Sequence, residues 1–283
     1  MLRLCGLGIA STIFALSLVP AQTAAAKGQQ PRFTFIGAVE PSQMVVVSNR
    51  VTGVISDVLA RPGSRVDVGQ ALFRLDAAVL ELAVAQAKAA RDEAAAALAL
   101  AEDVAARQAM LRARGAGAVA SARQSKLRAD IARAALARTE ADLSVANLNL
   151  KRTVIRATIS GIVTNVIGRV GQFVEAEANT QLAEIVRIDP VRVRYSVPHG
   201  SRQLAMRLTG ATTVAEMLGR MRLTIIEPSG AEHRQTGRAD FESATVDPAS
   251  GMLTTWGLVA NPRGTLLPGL KVKVRSHIAP ADG

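Results

Sequence analysis

At 283 residues and 49% hydrophobic, the chain can bury a sizeable core, which excludes wholesale disorder. Aromatics make up only 3%, too few for ring-lined ligand pockets or for platforms that stack bases. The net charge of +11 comes from arginines scattered along the whole chain, so it points to acidic surfaces or anionic headgroups, and nucleic acid is not expected as a partner.

The first element is a targeting segment. Arg3 supplies a positive start, Leu4 to Val19 an apolar run, and Ala24-Ala25-Ala26 a small-residue cleavage site before Lys27, so residues 1–26 read as a Sec-type signal peptide. An uncleaved anchor is the alternative, and either way the body of the chain is exported. Cys5, the only cysteine, lies inside this segment, so the remainder can form no disulfide and offers no thiol nucleophile.

Pro31 to Val39 reads as a strand, and an internal repeat follows it. Thr52–Gly63 returns at one constant offset as Ser160–Gly171, pairing Gly53 with Gly161, Arg61 with Arg169 and Gly63 with Gly171. Val66 and Val174 continue the match. Each copy alternates β-branched and polar residues and then turns at glycine, which predicts two β-hairpin units of short strands that could close one small sandwich. The four glycines Gly53, Gly63, Gly161 and Gly171 are assigned to sharp turns.

Between the copies, Ala77 to Leu150 contains no proline and is dominated by alanine, leucine, arginine and glutamate, as a helical insertion would be. Leu80, Ala83, Ala87, Ala90, Ala94, Ala97, Ala101, Val104, Gln108 and Leu111 recur at alternating three- and four-residue steps, as in a coiled-coil seam. Gly115 and Gly117 break the helix. Leu127, Ile131, Ala134, Arg138, Ala141, Val145 and Leu148 predict a second seam on an antiparallel return. A helix of some 35 residues reaches roughly 50 Å, longer than a compact domain needs for its own core, so the hairpin should project. Arg107, Arg112, Arg114, Arg123 and Arg128 cluster near its tip, which favours docking to a partner over a merely solvated face.

From Pro190 to Ile278 the pattern returns to short alternating runs, such as Val191–Val197 and Leu270–Arg275, punctuated by Pro198, Gly230, Pro248 and the Leu267-Pro268-Gly269 turn. A small antiparallel barrel is expected there, joined by the strand at 31–41 and carrying a short helix over Ser201–Leu208. The domains would then nest, with residues 31–41 and 189–278 in the barrel, 42–76 and 151–188 in the sandwich, and 77–150 in the hairpin. Paired chain crossings near Asp76/Lys151 and Met44/Asp189 would serve as hinges between modules.

Three stretches make a more specific pattern. They are Val51 to Asp76; Ile155-Arg156-Ala157 through Gly161 to Ile188-Asp189-Pro190; and Thr245-Val246-Asp247-Pro248-Ala249-Ser250-Gly251 followed by Leu266-Leu267-Pro268-Gly269. Together they resemble the periplasmic adaptor, or membrane fusion protein, family of tripartite efflux pumps, of the HlyD and RND-adaptor kind, over nearly all of residues 31–278.

The resemblance implies an elongated, multidomain α+β fold: a split lipoyl-like β-sandwich interrupted by a long antiparallel coiled-coil hairpin, then a small antiparallel β-barrel. It implies a protein of the periplasm, peripheral to the inner membrane, that links an inner-membrane RND-type transporter to a TolC-like outer-membrane channel as a hexamer. The channel contact it implies is an arginine, a leucine and a serine around the hairpin tip. Arg107 and Leu111 fit the first two; the serine position falls near Ala118 to Ala120, with Ser121 displaced by one step and Gly115-Ala116-Gly117 lengthening the loop. Arg107, Leu111, Arg114, Gly115, Ala118 and Ser121 are the expected contact. A further membrane-proximal β-domain, usual in RND adaptors, is expected to be absent or truncated. Adaptors of the same architecture serve ABC or major-facilitator exporters, which is the alternative reading, and a coiled-coil scaffold without a transport role is a third.

Catalysis is not expected. No lysine occupies either hairpin turn where a lipoate or biotin carrier would need one, and no phosphate loop, nucleophile elbow or zinc-protease motif occurs. His199, His233 and His277 lack neighbours at metal-ligand spacing and read as solvated strand positions. No cofactor and no metal are expected.

Overall fold

The computed structural model describes residues 32–279, so the signal peptide expected over residues 1–26 lies outside the described residues. Alternating apolar and polar side chains draw out β1 (Phe33–Ser48) and β2 (Gly53–Val58), followed by the short β3 (Arg65–Val66) and β4 (Ala71–Leu75). The proline-free segment forms α1 (Ala78–Ala113) and α2 (Val119–Lys151). Asp76 helps to start α1, its carboxylate accepting the Ala78 N–H at 3.0 Å.

The second copy of the repeat supplies β5 (Val154–Arg156), β6 (Gly161–Val166) and β7 (Phe173–Val174), and leads into the long β8 (Gln181–Pro198). α3 (His199–Thr209) covers the expected helix, and a second helix, α4 (Val214–Arg220), follows it. α4 is set by a capping box: the Thr213 hydroxyl accepts the Glu216 N–H at 3.2 Å, and the Glu216 carboxylate reaches back to the Thr212 N–H at 2.9 Å. β9 (Met221–Ile226), β10 (Gly237–Asp247), β11 (Met252–Val259) and β12 (Lys271–Ile278) complete the described chain.

The order β1-β12-β9-β10-β11-β8 returns to β1, so antiparallel strands close a barrel. Its interior is aliphatic, with Val39, Val191, Val193, Leu223, Ile225 and Val274 almost wholly buried, and Ala205, Met217 and Leu218 of α3 and α4 packing against it. Among the motif residues, Asp247 builds the β10–β11 turn. Its carboxylate accepts from Ser250 Oγ at 2.6 Å and from the Ala249 N–H at 3.1 Å, and Gly251 closes the turn at φ +66°.

A second core lies where β6, β3 and the adjoining halves of β1 and β8 face the sheet β5-β4-β2-β7. Ile55, Leu72, Phe73, Val163, Leu182 and Ile185 fill it. The repeat is reciprocal in space: β2 pairs with β7 and β3 with β6, so each copy completes the other's sheet. Equivalent bonds recur, with Gly63 N–H donating to Val163 O at 2.7 Å and Gly171 N–H to Ile55 O at 2.9 Å.

Two sequence expectations are revised. Gly63 and Gly171 do turn the chain, at φ +79° and +83°, but Gly53 and Gly161 open strands β2 and β6 and make no turn. The expected division at 41/42 and 188/189 falls inside β1 and β8. These two strands run through both cores, hydrogen-bonded to one another from Gly37↔Tyr195 to Ser48↔Gln181, with register shifts between Pro41 and Gln43 and between Val47 and Ser48. The crossing at Met44/Asp189 is therefore a ribbon of two hydrogen-bonded strands.

Candidate functional site

The tip of the α1–α2 pair is the candidate site, and its shape follows from how α1 ends. Gly115 N–H donates to Arg112 O at 3.0 Å and Ala116 N–H to Leu111 O at 3.0 Å, with Gly115 at φ +75°. This is a Schellman motif, which satisfies the last carbonyls of α1 and reverses the chain. Gly117 is held against the helix end: a Cβ there would lie 2.9 Å from Arg112 N. α2 then returns along α1, and Arg133 Nη2 meets Glu102 Oε1 at 2.6 Å midway down the pair. Thirty-six residues give α1 a length of about 54 Å.

Along α1 the partly covered positions include Leu80, Ala83, Ala87, Ala94, Ala101, Val104 and Gln108 of the expected seam, while Ala90 and Ala97 yield to Arg91 and Leu98. On α2 the expectation fails. Leu127, Ile131, Val145 and Leu148 are exposed, Ile131 at 70%, and the inward face is Ala122, Ser125, Ala129, Ala132, Leu136, Thr139, Leu143 and Leu150. Small side chains share the contact with Leu136, Leu143 and Leu150 and let the helices approach closely, and Leu127, Ile131, Val145 and Leu148 are turned outward.

All six expected tip residues, Arg107, Leu111, Arg114, Gly115, Ala118 and Ser121, are exposed and lie in the distal turns of the two helices or the loop between them. Arg107 is engaged by Asp103 at 2.9 Å, an exposed ion pair worth at most ~1 kcal/mol. Between the helices just below the tip, Arg112, Arg123 and Lys126 rim a groove of 740 Å³ floored by Ala105, Ala109, Ala113 and Val119. This alanine-floored groove was not expected from the sequence, and only the alanine density of both helices hints at it.

Elsewhere the histidines divide. His233, expected to be solvated, has a side chain only 7% exposed, with Nε2 3.0 Å from Ala260 O and Nδ1 3.5 Å from Glu227 Oε1. The loops flanking β9 and β11 fold over it, which strand periodicity cannot show. Among the described residues no group of His, Cys, Asp and Glu is placed to hold a metal ion. No helix among them is long and apolar enough to cross a membrane.

No family model matches the chain. It is 31% identical over 249 residues to the membrane fusion protein MtrC of Neisseria gonorrhoeae, covering 87% of this chain and 60% of that one. It is 27% identical over 245 residues to the efflux pump periplasmic linker BepD of Brucella suis, covering 85% and 61%. The chain is homologous to the membrane fusion proteins. This homologue spans about three fifths of the length of those two relatives. Its fold is also that of MacA from Actinobacillus actinomycetemcomitans, with a TM-score of 0.65 at 19% identity, over 88% of this chain and 79% of that one.

Proposed function

We propose that this membrane fusion protein homologue is a non-enzymatic periplasmic adaptor, which bridges an inner-membrane transporter of the RND type to a TolC-like outer-membrane channel. The observation that carries the reading is the hairpin: a body with two cores holds out two packed helices of about 50 Å that end in an exposed, cationic tip. Leu80 at the base of α1 packs against the second core, and the rest of the length joins neither core, so its use is reach. In this reading the reciprocal sandwich is the lipoyl-like module, the helix pair is a coiled coil, and Arg107, Leu111, Arg114, Gly115, Ala118 and Ser121 meet the channel.

Copies standing side by side, six in the family's pattern, would line a conduit, and the outward apolar residues of α2 would then be covered by neighbours. Export is driven by the transporter, and the adaptor supplies sealing and coupling. The test is a photo-reactive residue at Leu111 and another at the exposed Ile36 of the barrel, with captured proteins identified from intact cells. A channel at Leu111 and an RND transporter at Ile36 are expected. An ABC or major-facilitator protein at Ile36 would reassign the transporter class, and no membrane partner at either position would refute the bridging role.

A further inference from the structure

A groove of 370 Å³ lies at the base of the hairpin, far along the helices from the tip, between two strands whose outer edges are unpaired. From Gln43 to Ser48, β1 is bonded only to β8, because β12 leaves it at Ala38↔Lys271. β5 is the end strand of its sheet. Both edges therefore present backbone N–H and C=O groups to the groove without a strand partner. The edge side chains of β1 are apolar, with Val46 51% exposed.

Arg50, Lys151, Arg152 and Arg156 also line this groove, and no carboxylate does. None of the four belongs to an ion pair among the described residues, and Arg156 only donates to Gly69 O at 2.9 Å. Lys151 by itself would be explained by the carbonyl end of α2. Arg50 and Arg156 sit on other elements and have no such role. Charges that guard an open edge against aggregation are carried on the edge strand itself, as Arg156 is on β5, whereas the β1 edge is valine-rich and Arg50, Lys151 and Arg152 converge on the groove from a loop and a helix end.

We propose that this groove binds an extended acidic polypeptide segment of a partner protein, which adds a strand to the free edge of β1. Main-chain hydrogen bonds to β1 would supply affinity, alternate apolar side chains would lie beside the exposed Met44 and Val46 on one face, and the intervening carboxylates, on the other face, would meet Arg50, Lys151, Arg152 and Arg156. The site is separate from the hairpin tip and does not depend on the bridging role.

The test uses the full chain and a fluorescent peptide of alternating glutamate and valine, followed by anisotropy, beside the same peptide N-methylated on alternate amides. Saturable binding is expected, weaker by about tenfold for the N-methylated peptide and by about tenfold for the Arg50→Glu/Lys151→Glu variant, whose thermal unfolding should match the parent. Equal binding of the two peptides would overturn strand addition. Undiminished binding by the variant, or binding of anionic lipid vesicles with none of the peptide, would overturn the site.

Discussion

The carbonyl oxygen of Val186 lies only 2.5 Å from where a Cβ on Gly161 would stand, whereas a Cβ on the repeat-equivalent Gly53 would meet nothing closer than Leu75 Cβ at 3.6 Å. The two copies share a sequence pattern and differ in what is pressed against it. Gly161→Ala should therefore destabilise the fold by roughly 1–3 kcal/mol, since backbone cannot step aside as a side chain can. Gly53→Ala should change stability by less than about 1 kcal/mol, and urea unfolding of both variants checks the asymmetry.

Gly63 and Gly171 should behave alike. Both have positive φ, and both face open space, so alanine meets only backbone strain there. Each substitution is expected to cost about 1–2 kcal/mol, and unequal midpoints in the same urea series would contradict the equivalence.

Asn261 is fully buried and ties the loop between β11 and β12 to β8. Its Nδ2 donates to Ile188 O and Leu266 O, each at 2.9 Å, and its Oδ1 accepts the Leu266 N–H at 3.1 Å. Asn261→Leu keeps the volume and strands three backbone groups away from water, so a loss of about 3–5 kcal/mol is expected by denaturant unfolding.

The two faces of α2 can be separated by mutation. Leu143 lies on the covered face and Ile131 is 70% exposed. Leu143→Ala should lower stability by about 1–2 kcal/mol, and Ile131→Ser should stay within about 0.5 kcal/mol of the parent when the isolated chain is melted by far-UV circular dichroism. Reversal of that order would put the seam back on the face carrying Leu127 and Val145.

His277 gives a pH dependence. Burial, and then the charges of Arg32, Arg222 and Arg275, hold its imidazole below the usual range. The unfolded chain thus takes up the proton first, so stability is full above the ordinary imidazole value of about 6.5 and falls as pH drops from there towards the lower folded value. His277→Gln should flatten the Tm profile across that interval, and an unaltered profile would remove His277 as its source.

Much of the fold was legible because its signals are local or exactly repeated. The offset linking Gly53 to Gly161 predicted the reciprocal units, and the absence of proline with the Gly115–Gly117 break predicted the helix pair. The α2 seam was misread because both faces carry apolar residues, and Leu127, Ile131 and Val145 outweigh Ala122, Ala129 and Ala132 in hydrophobicity although close packing selects the small ones. The division at residue 41 falls inside a strand, because β1 passes from one core, at Val39, to the other, at Val47, without a break. The tip residues were legible in position, since Gly115 marks where α1 must end, but the groove below them depends on the spacing of two helices.

β1 and β8 remain bonded to each other from the barrel to the sandwich. A two-stranded ribbon bends across its face far more easily than it shears along its ladder or stretches. Load applied at the barrel is therefore passed to the root of the helices as bending and torque, with little slack to absorb it. In the proposed adaptor role, this would make the angle between barrel and hairpin a mechanical variable that a transporter sets from one end, with Pro41–Gln43, where the ladder slips register between the two cores, as the place of least stiffness.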